Sequence, residues 1–283
     1  MNKFSLIGKG SKRIDTTAKA TGEALFSGDL TLPRMLCGKV LRSPHPHARI
    51  VSIDTSKAEA LSGVKAVVTA RDTCGDKWGV FRYTQDQQFL PVDKVRYVGE
   101  EVAAVAAIDE DTALEALNLI DVTYDVLPAV FTIDDAMRAG APVIHDEHKD
   151  NINIHVNITV GDIEKGFAES AIVREDTFSA PEDSYFQGEP YAVTAQFDHS
   201  GNLEIWMPNA GPHLKAKPLS NALKIPLNKV RVRKITIGGA FGGRSEIAPA
   251  DLICALLAKK SRLPVKIIYS REENSICTRQ AHS

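Results

Sequence analysis

The chain has 283 residues, of which 43% are apolar and 25% charged, and its formal net charge is −2. This composition is ordinary for a soluble globular protein, and the nearly balanced charge excludes a basic surface for nucleic acid. Charges interrupt every apolar run before it reaches the length of a membrane span, and we expect neither a secretory leader nor a membrane partner, hence a cytoplasmic location.

Residues 1–18 are interpreted as a lead, and the pattern that follows predicts an α+β domain over residues 19–128. Two neighbouring carboxylates, Glu100 and Glu101, are expected to flank a turn between buried strands, with at least one of them exposed. The predicted strands are 22–29, 35–43, 48–56, 64–72, a pair within 94–109 that turns at Gly99, and 122–130; the helices are 57–64 and 111–120, the second capped by Asp109 or Asp111.

Scattered Pro, Asp, Asn and His residues indicate a linker over residues 129–160, and a second domain is expected over residues 161–283. The predicted strands of this domain are 171–179, 191–198, 203–208, 230–237 and 264–270, and the predicted helices are 213–224 and 248–260. The charged residues Arg271, Glu272 and Glu273 are interpreted as a surface cluster or as a contact with further polypeptide.

Four glycines lie within six residues of the stretch ITIGGAFGGRSE (235–246), directly after an alternating apolar run. The stretch lacks the lysine of a phosphate-binding P-loop and the GxGxxG spacing of a dinucleotide fold. Two interpretations stay open on spacing alone. Either the glycines form a tight turn with Phe241 in the core, or they let main-chain N–H groups approach a bound cofactor without interference from Cβ atoms.

No metal site is predicted within this chain. The four cysteines form no CxxC pair, which disfavours zinc or an iron–sulfur cluster, and we expect them to act as small apolar residues. The pair His45 and His47 lacks a third ligand.

Three segments occur in a fixed order: LRSPHPHARI (41–50), VRYVGEEVAAVAA (95–107) and GGAFGGRSE (238–246). Together they resemble the molybdenum-cofactor-binding large subunit of the molybdenum hydroxylases, the group of xanthine dehydrogenase, aldehyde oxidase and hydroxybenzoyl-CoA reductase. The resemblance implies an α/β hammerhead domain followed by the incomplete first part of a molybdopterin-binding α+β domain.

The resemblance also assigns roles to residues. The backbone of Phe241 is expected beside the metal, and the glycine stretch against the pterin. Glu189 and Pro190 fit a family segment whose glutamine lies near the metal; counting back from Glu189 places that residue at Asp183, whereas the glutamine present is Gln187. The implied cofactor-binding residues are Gly239, Ala240, Phe241, Gly242, Gly243, Asp183 and Gln187, and the implied substrate-proximal residues are Ser245 and Glu246.

Ser245 stands where purine-oxidising members have a glutamate, which argues against xanthine and leaves aromatic, heterocyclic or aldehyde substrates. The family implies molybdopterin as cofactor, in the cytosine dinucleotide form of bacterial members, with iron–sulfur clusters and FAD on partner subunits. No catalytic residue is assigned in this chain, because the general-base glutamate is expected in sequence beyond it.

We therefore expect the N-terminal part of a split or truncated large subunit, inactive alone, whose last strand leaves an exposed sheet edge. Its partners would be the remaining large subunit, an iron–sulfur subunit and an FAD subunit. The alternative is an inert fragment that acts as a structural or subunit-interaction module.

Overall fold

The computed structural model of the protein describes residues 4–73, 75–79, 85–181, 183–277 and 280–281, with the backbone alone at 183, 280 and 281. The strands are β1 (Leu36–Arg42), β2 (Ala48–Asp54), β3 (Val64–Thr69), β4 (Lys77–Trp78), β5 (Gln87–Gln88), β6 (Lys94–Val95), β7 (Glu101–Ala107), β8 (Asp121–Val126), β9 (Asp183–Ser184), β10 (Ala192–Phe197), β11 (Leu203–Trp206), β12 (Val230–Arg233), β13 (Val265–Ile268) and β14 (Gln280–Ala281). The α-helices are α1 (Thr16–Thr21), α2 (Ser56–Ala60), α3 (Glu110–Asn118), α4 (Ile133–Met137), α5 (Ile163–Glu169), α6 (Pro212–Leu223), α7 (Pro249–Ser261) and α8 (Arg271–Cys277).

A seven-stranded mixed sheet organises the molecule, in the order β12-β11-β10-β13-β1-β7-β3. Strands β1 and β13 pair in parallel, with Leu36 opposite Val265, so this sheet joins strands from both predicted domains. A smaller sheet in the order β6-β2-β8 lies beside it. The mixture of helices and sheets confirms the predicted α+β class.

Strand β7 lies at the centre of the hydrophobic core, because all seven of its residues are buried. Its sequence EVAAVAA is rich in alanine, and small side chains let layers pack closely on both faces. One face joins a cluster with α2 and α3, and the other joins the larger core with α7. Helix α3 begins where Asp109 accepts a hydrogen bond from Thr112 N at 2.8 Å, which confirms the predicted cap.

Three strand predictions are wrong. Segment 22–29 forms only an isolated bridge between Phe26 and Thr236, and segment 171–179 is exposed and unpaired. The two strands within 94–109 turn at Gly99, which has φ +95°, yet they enter different sheets instead of pairing with each other. Residues 27–29 form a turn, segment 171–179 pairs with no described strand, and only the strands within 94–109 formed with other partners.

The expected exposed edge at the last predicted strand is also wrong. Strand β13 has β10 on one side and β1 on the other, so it is interior, and the edges of the sheet are β12 and β3. The structure also contains helices that the patterns did not predict, namely α1, α4, α5 and α8. None of the helices in the described ranges is long and apolar enough to cross a membrane.

Candidate functional site

Two segments cross at the end of the large sheet: residues 185–189, which precede β10, and residues 238–243, the glycine loop. Glu189 ties them together. Its carboxylate accepts hydrogen bonds from Gly238 N at 2.8 Å and from Ser27 N at 3.3 Å, and its own N–H donates to the Gly238 carbonyl at 3.3 Å. Glu189 therefore holds the crossing through the backbone N–H and carbonyl of Gly238 in the loop.

The glycines of the loop are required by this close approach. A Cβ on Gly238 would lie 2.4 Å from Glu189 Cβ, and one on Gly243 would lie 2.7 Å from Gln187 Nε2. A side chain on Gly238 would push the segments apart, because Glu189 Cβ is fixed to the backbone, whereas one on Gly243 would displace the end of the buried Gln187 side chain. Some of the clustered glycines are therefore explained by close contacts within the chain itself, without a bound cofactor.

Gln187 is the buried polar residue of the crossing, with 1% of its surface exposed. Its Nε2 donates to the Ala240 carbonyl at 3.3 Å, whereas its Oε1 is buried without a hydrogen-bond partner among the described residues. An unpaired buried carbonyl costs about 1–3 kcal/mol, so native proteins rarely keep one without a reason. The atom therefore marks a place where a donor is missing.

The loop also presents main-chain donors. Within the described residues, the N–H groups of Gly239, Ala240, Phe241 and Gly242 donate to no oxygen. Gly239, Phe241 and Gly242 have positive φ values of +112°, +47° and +99°, and backbone turns that include left-handed residues are the kind that line anion-binding concavities with N–H groups. Phe241 is 68% exposed, which excludes the interpretation that its ring fills the core.

Two arginines brace the crossing. Arg244, 1% exposed, donates from Nη2 to the Glu189 carbonyl at 2.7 Å and stacks 4.7 Å from the centre of the Tyr191 ring. Burial lowers the pKa of Arg244. Arg271 donates to the carbonyls of Gln187 at 2.6 Å and Gly188 at 2.8 Å. Arg271 is exposed, as the predicted surface cluster requires, and these two carbonyls are partners that sequence reasoning did not anticipate.

A cavity of about 540 Å³ adjoins the loop, which supplies Gly242 and Gly243 to its wall. This volume is in the range of small-ligand sites. Glu246 lines the cavity beside them, whereas Ser245 is not among the lining residues. The opposite wall comes from the hammerhead side and from the predicted linker, and it includes Arg96, Tyr97, Glu100, Asp86 and His145.

Burial shifts the pKa values of two ionisable groups in that opposite wall, Glu100 and His145. Burial raises the pKa of Glu100 to about 7, although Glu100 Oε2 accepts a hydrogen bond from Arg96 N at 2.5 Å. Glu100 and Glu101 are 5% and 1% exposed, so the expectation that one of them is exposed is wrong. Burial lowers the pKa of His145.

The structure brings most of the predicted site residues to one place. Gln187 and the glycine loop meet at the crossing. Glu246 lines the same cavity as Gly242 and Gly243 of the loop. Asp183 belongs to β9, where it pairs with Ala281, and its side chain lies outside the described parts. Sequence reasoning missed Arg244 as a brace, and its position directly after the last glycine was the available signal.

Comparison with protein families identifies the family to which this chain belongs. Residues 21–128 match the aldehyde oxidase and xanthine dehydrogenase a/b hammerhead domain, and residues 144–283 match the molybdopterin cofactor-binding domain. The chain belongs to the molybdenum hydroxylase family. It corresponds to a portion of the family's large subunit, as its sequence motifs implied.

Individual molybdenum hydroxylases support the assignment. The chain is 35% identical over 280 residues to the nicotinate dehydrogenase large molybdopterin subunit of Eubacterium barkeri, covering 99% of this chain and 65% of that subunit. It is 31% identical to the 6-hydroxypseudooxynicotine dehydrogenase complex subunit gamma of Paenarthrobacter nicotinovorans, with 99% and 36% covered. The solved structure of quinoline 2-oxidoreductase from Pseudomonas putida 86 superposes with a TM-score of 0.85 at 30% identity, with 99% and 37% covered.

The chain therefore spans from about a third to nearly two thirds of the length of these molybdenum hydroxylases. The crossing fits the family's cofactor in its chemistry. A pterin carries hydrogen-bond donors and acceptors and molybdopterin carries an anionic phosphate, while the crossing offers unpaired N–H donors and the unpaired Oε1 of Gln187.

Proposed function

We propose that this chain forms one side of the molybdopterin site in a molybdenum hydroxylase, and that the crossing of residues 185–189 with the glycine loop contacts the cofactor. The observation that carries this proposal is the buried Oε1 of Gln187, which has no hydrogen-bond partner in the described chain. Four N–H groups of the neighbouring glycine loop are also unpaired within the described residues. A bound group that carries both donors and acceptors would supply a donor to Oε1 and acceptors to the loop N–H groups.

In this proposal the residues hold the cofactor and do not react. Gln187 accepts a hydrogen bond through Oε1, and the N–H groups of residues 239–242 donate to anionic or carbonyl oxygens. Bound molybdopterin, as the cytosine dinucleotide in our proposal, supplies two-electron oxidation or reduction of a substrate carbon. Asp183 is kept as an alternative polar contact to the metal from the same segment.

We place the substrate in the cavity beside the loop, near Glu246. A small aromatic or heterocyclic compound is the proposed substrate class, and an aldehyde is the second choice. The volume of about 540 Å³ suits such a molecule, and Trp78, Tyr97 and Tyr269 supply aromatic surface in its wall. The names of the nicotinate and quinoline enzymes support a nitrogen heterocycle.

The proposed assembly includes the rest of the large subunit, which would carry the general base, and cytoplasmic subunits with iron–sulfur clusters and FAD to receive the electrons. The carbon monoxide dehydrogenase large chain of Afipia carboxidovorans and the subunit gamma above are named as parts of larger enzymes, which supports a multi-subunit arrangement. The competing proposal is a structural or subunit-interaction module without a cofactor.

Metal and pterin analysis separates these two proposals. The chain is to be purified with the rest of the large subunit and its neighbouring subunits from the source genome. We expect one molybdenum and one pterin per assembly, and turnover of a nitrogen heterocycle. An assembly that contains neither molybdenum nor pterin supports the interaction module instead.

A further inference from the structure

Residues 152–160, here called the alternating segment, carry an apolar residue at every second position. The sequence is INIHVNITV, and all five apolar residues are β-branched: Ile152, Ile154, Val156, Ile158 and Val160. Such a pattern is typical of a strand with one buried face, because successive side chains point to opposite sides. The sequence thus encodes a strand in a region that we interpreted as a linker.

In the structure the alternating segment forms no strand and pairs with none of the described strands. No backbone hydrogen bond joins it to any other described residue. Its five apolar side chains are exposed by 43%, 46%, 67%, 80% and 87% in chain order. Ile172 and Phe178, on the other side of α5, are 86% and 89% exposed.

The segment also lacks the usual defences of a free strand edge. Natural proteins protect such edges with charged residues, with proline or with bulges. Between Asn151 and Gly161 there is no Lys, Arg, Asp, Glu or Pro, and the other face carries only Asn, His and Thr. An uncharged, β-branched edge of this length would promote aggregation if it stayed open, so it must be covered in the working protein.

From these observations we propose that the alternating segment is a β-strand docking site. The strand that covers it belongs to the part of the family's large subunit that does not align with this chain. The chain spans 65%, 36% and 37% of three molybdenum hydroxylase chains, so the family's large subunit has ample further polypeptide to supply strands. The segment lies within the match to the molybdopterin cofactor-binding domain, which makes that domain the one that it completes.

The apolar face argues against a second copy of this chain as the occupant. Edge-to-edge pairing of two alternating segments would satisfy their backbone groups but leave both rows of β-branched side chains in water. A folded layer can provide both a neighbouring strand and an apolar surface beneath it. The partner is therefore a strand of a sheet that has its own hydrophobic layer.

Photo-crosslinking in the assembled protein tests the identity of the occupant. The chain is purified with the polypeptide that its genome encodes for the rest of the large subunit, with benzoylphenylalanine in place of Ile158. We expect a crosslink from position 158 to that polypeptide, and none from the same probe in place of Phe131, an exposed apolar residue outside the segment. Mixed isotope labelling of the chain detects crosslinks between two copies.

Charge substitutions test the role of the apolar face. The double variant Val156→Asp/Ile158→Asp should weaken the association at least tenfold, whereas Asn157→Asp, which adds a charge on the other face, should weaken it much less. Amide exchange over residues 152–160 in the assembled protein should be at least tenfold slower than in the double variant. Both readouts are independent of molybdopterin, so failure of the cofactor proposal would leave them unchanged.

Three outcomes overturn the proposal: a crosslink to a second copy, a crosslink to another subunit, or fast amide exchange over residues 152–160 in the assembled protein. Equal effects of Asn157→Asp and of the double variant would also overturn it, because the apolar face would then have no special part.

Discussion

Glu189 occupies the space that a side chain on Gly238 would need, while its carboxylate accepts the N–H of that same glycine at 2.8 Å. One residue therefore both excludes a Cβ and satisfies a backbone donor. This pairing sets the distance between the glycine loop and the segment that carries Gln187. The position of the proposed cofactor contacts thus depends on a contact within the protein.

The substitution Gly238→Ala should destabilise the fold. Its Cβ would lie 2.4 Å from Glu189 Cβ, an atom next to the backbone that cannot rotate away. Overpacking of this kind costs about 1–3 kcal/mol. Chemical denaturation of the assembled protein should show a lower midpoint. The control is Gly188→Ala, whose Cβ would meet only the Gly238 carbonyl at 3.8 Å, and an equal loss in both variants would refute the explanation.

The substitution Gln187→Leu should separate cofactor binding from folding. Leucine is close in size and removes the unpaired Oε1, so the free energy of unfolding should change by less than about 1.5 kcal/mol. The molybdenum and pterin content of the assembly should fall at least tenfold. The matched control is Gln196→Leu, which removes an amide that bonds to Glu204 away from the loop. Full cofactor content in Gln187→Leu would remove Gln187 from the proposed site.

The substitution Glu100→Gln should change how stability depends on pH. Burial raises the pKa of Glu100 to about 7 from an ordinary value of 4.5, so the folded protein holds this proton where the unfolded chain has lost it. The stability contributed by Glu100 is therefore lost as the pH rises from about 4.5 to about 7.

The Glu100→Gln variant should be more stable than the parent at pH 8, by at most about 3 kcal/mol, and nearly equal to it at pH 4. Thermal or chemical unfolding at several pH values measures this difference. Glu115→Gln, on the exposed side of α3, serves as the control and should leave the curve unchanged. A gain for Glu100→Gln that is the same at both pH values would contradict the burial explanation.

The substitution Lys215→Met should be strongly destabilising. Lys215 and Asp251 are both fully buried, with Nζ 3.2 Å from Oδ2, and Tyr191 OH donates to Asp251 at 2.5 Å. Removal of one partner from a buried ion pair leaves an uncompensated charge and costs about 3–5 kcal/mol. Denaturant unfolding measures the loss. Lys19→Met removes the more exposed pair with Asp15 and should cost less than about 1 kcal/mol.

Much of the fold was predictable from local patterns. Helices α3, α6 and α7 and the buried strand β7 follow from periodicity and from a cap at Asp109, because these signals lie within a few residues of each other. The pairing of β1 with β13 was not predictable, since partner choice depends on residues far apart in sequence. The predicted strand at 22–29 fails because residues 27–29 turn, and segment 171–179 pairs with none of the described strands.

The candidate site was predictable in its residues but less so in its physical basis. The glycine loop and Gln187 were identified from the sequence and from the resemblance to the family. Their geometry was not, because the contact between Gly238 and Glu189 and the wall with Glu100 arise only when separate segments meet. The role of Arg271 was hidden because a charged triplet after a strand is typical of solvent-exposed surface.

The interior position of β13 has a consequence for synthesis. The strands β1 and β7 are translated early, yet one side of β1 has no neighbour until residues 265–268 have left the ribosome. Contacts that span so much sequence form slowly and leave early segments open in the meantime. The nascent N-terminal half must therefore wait with an incomplete sheet, and this interval is when the growing chain most needs protection by chaperones.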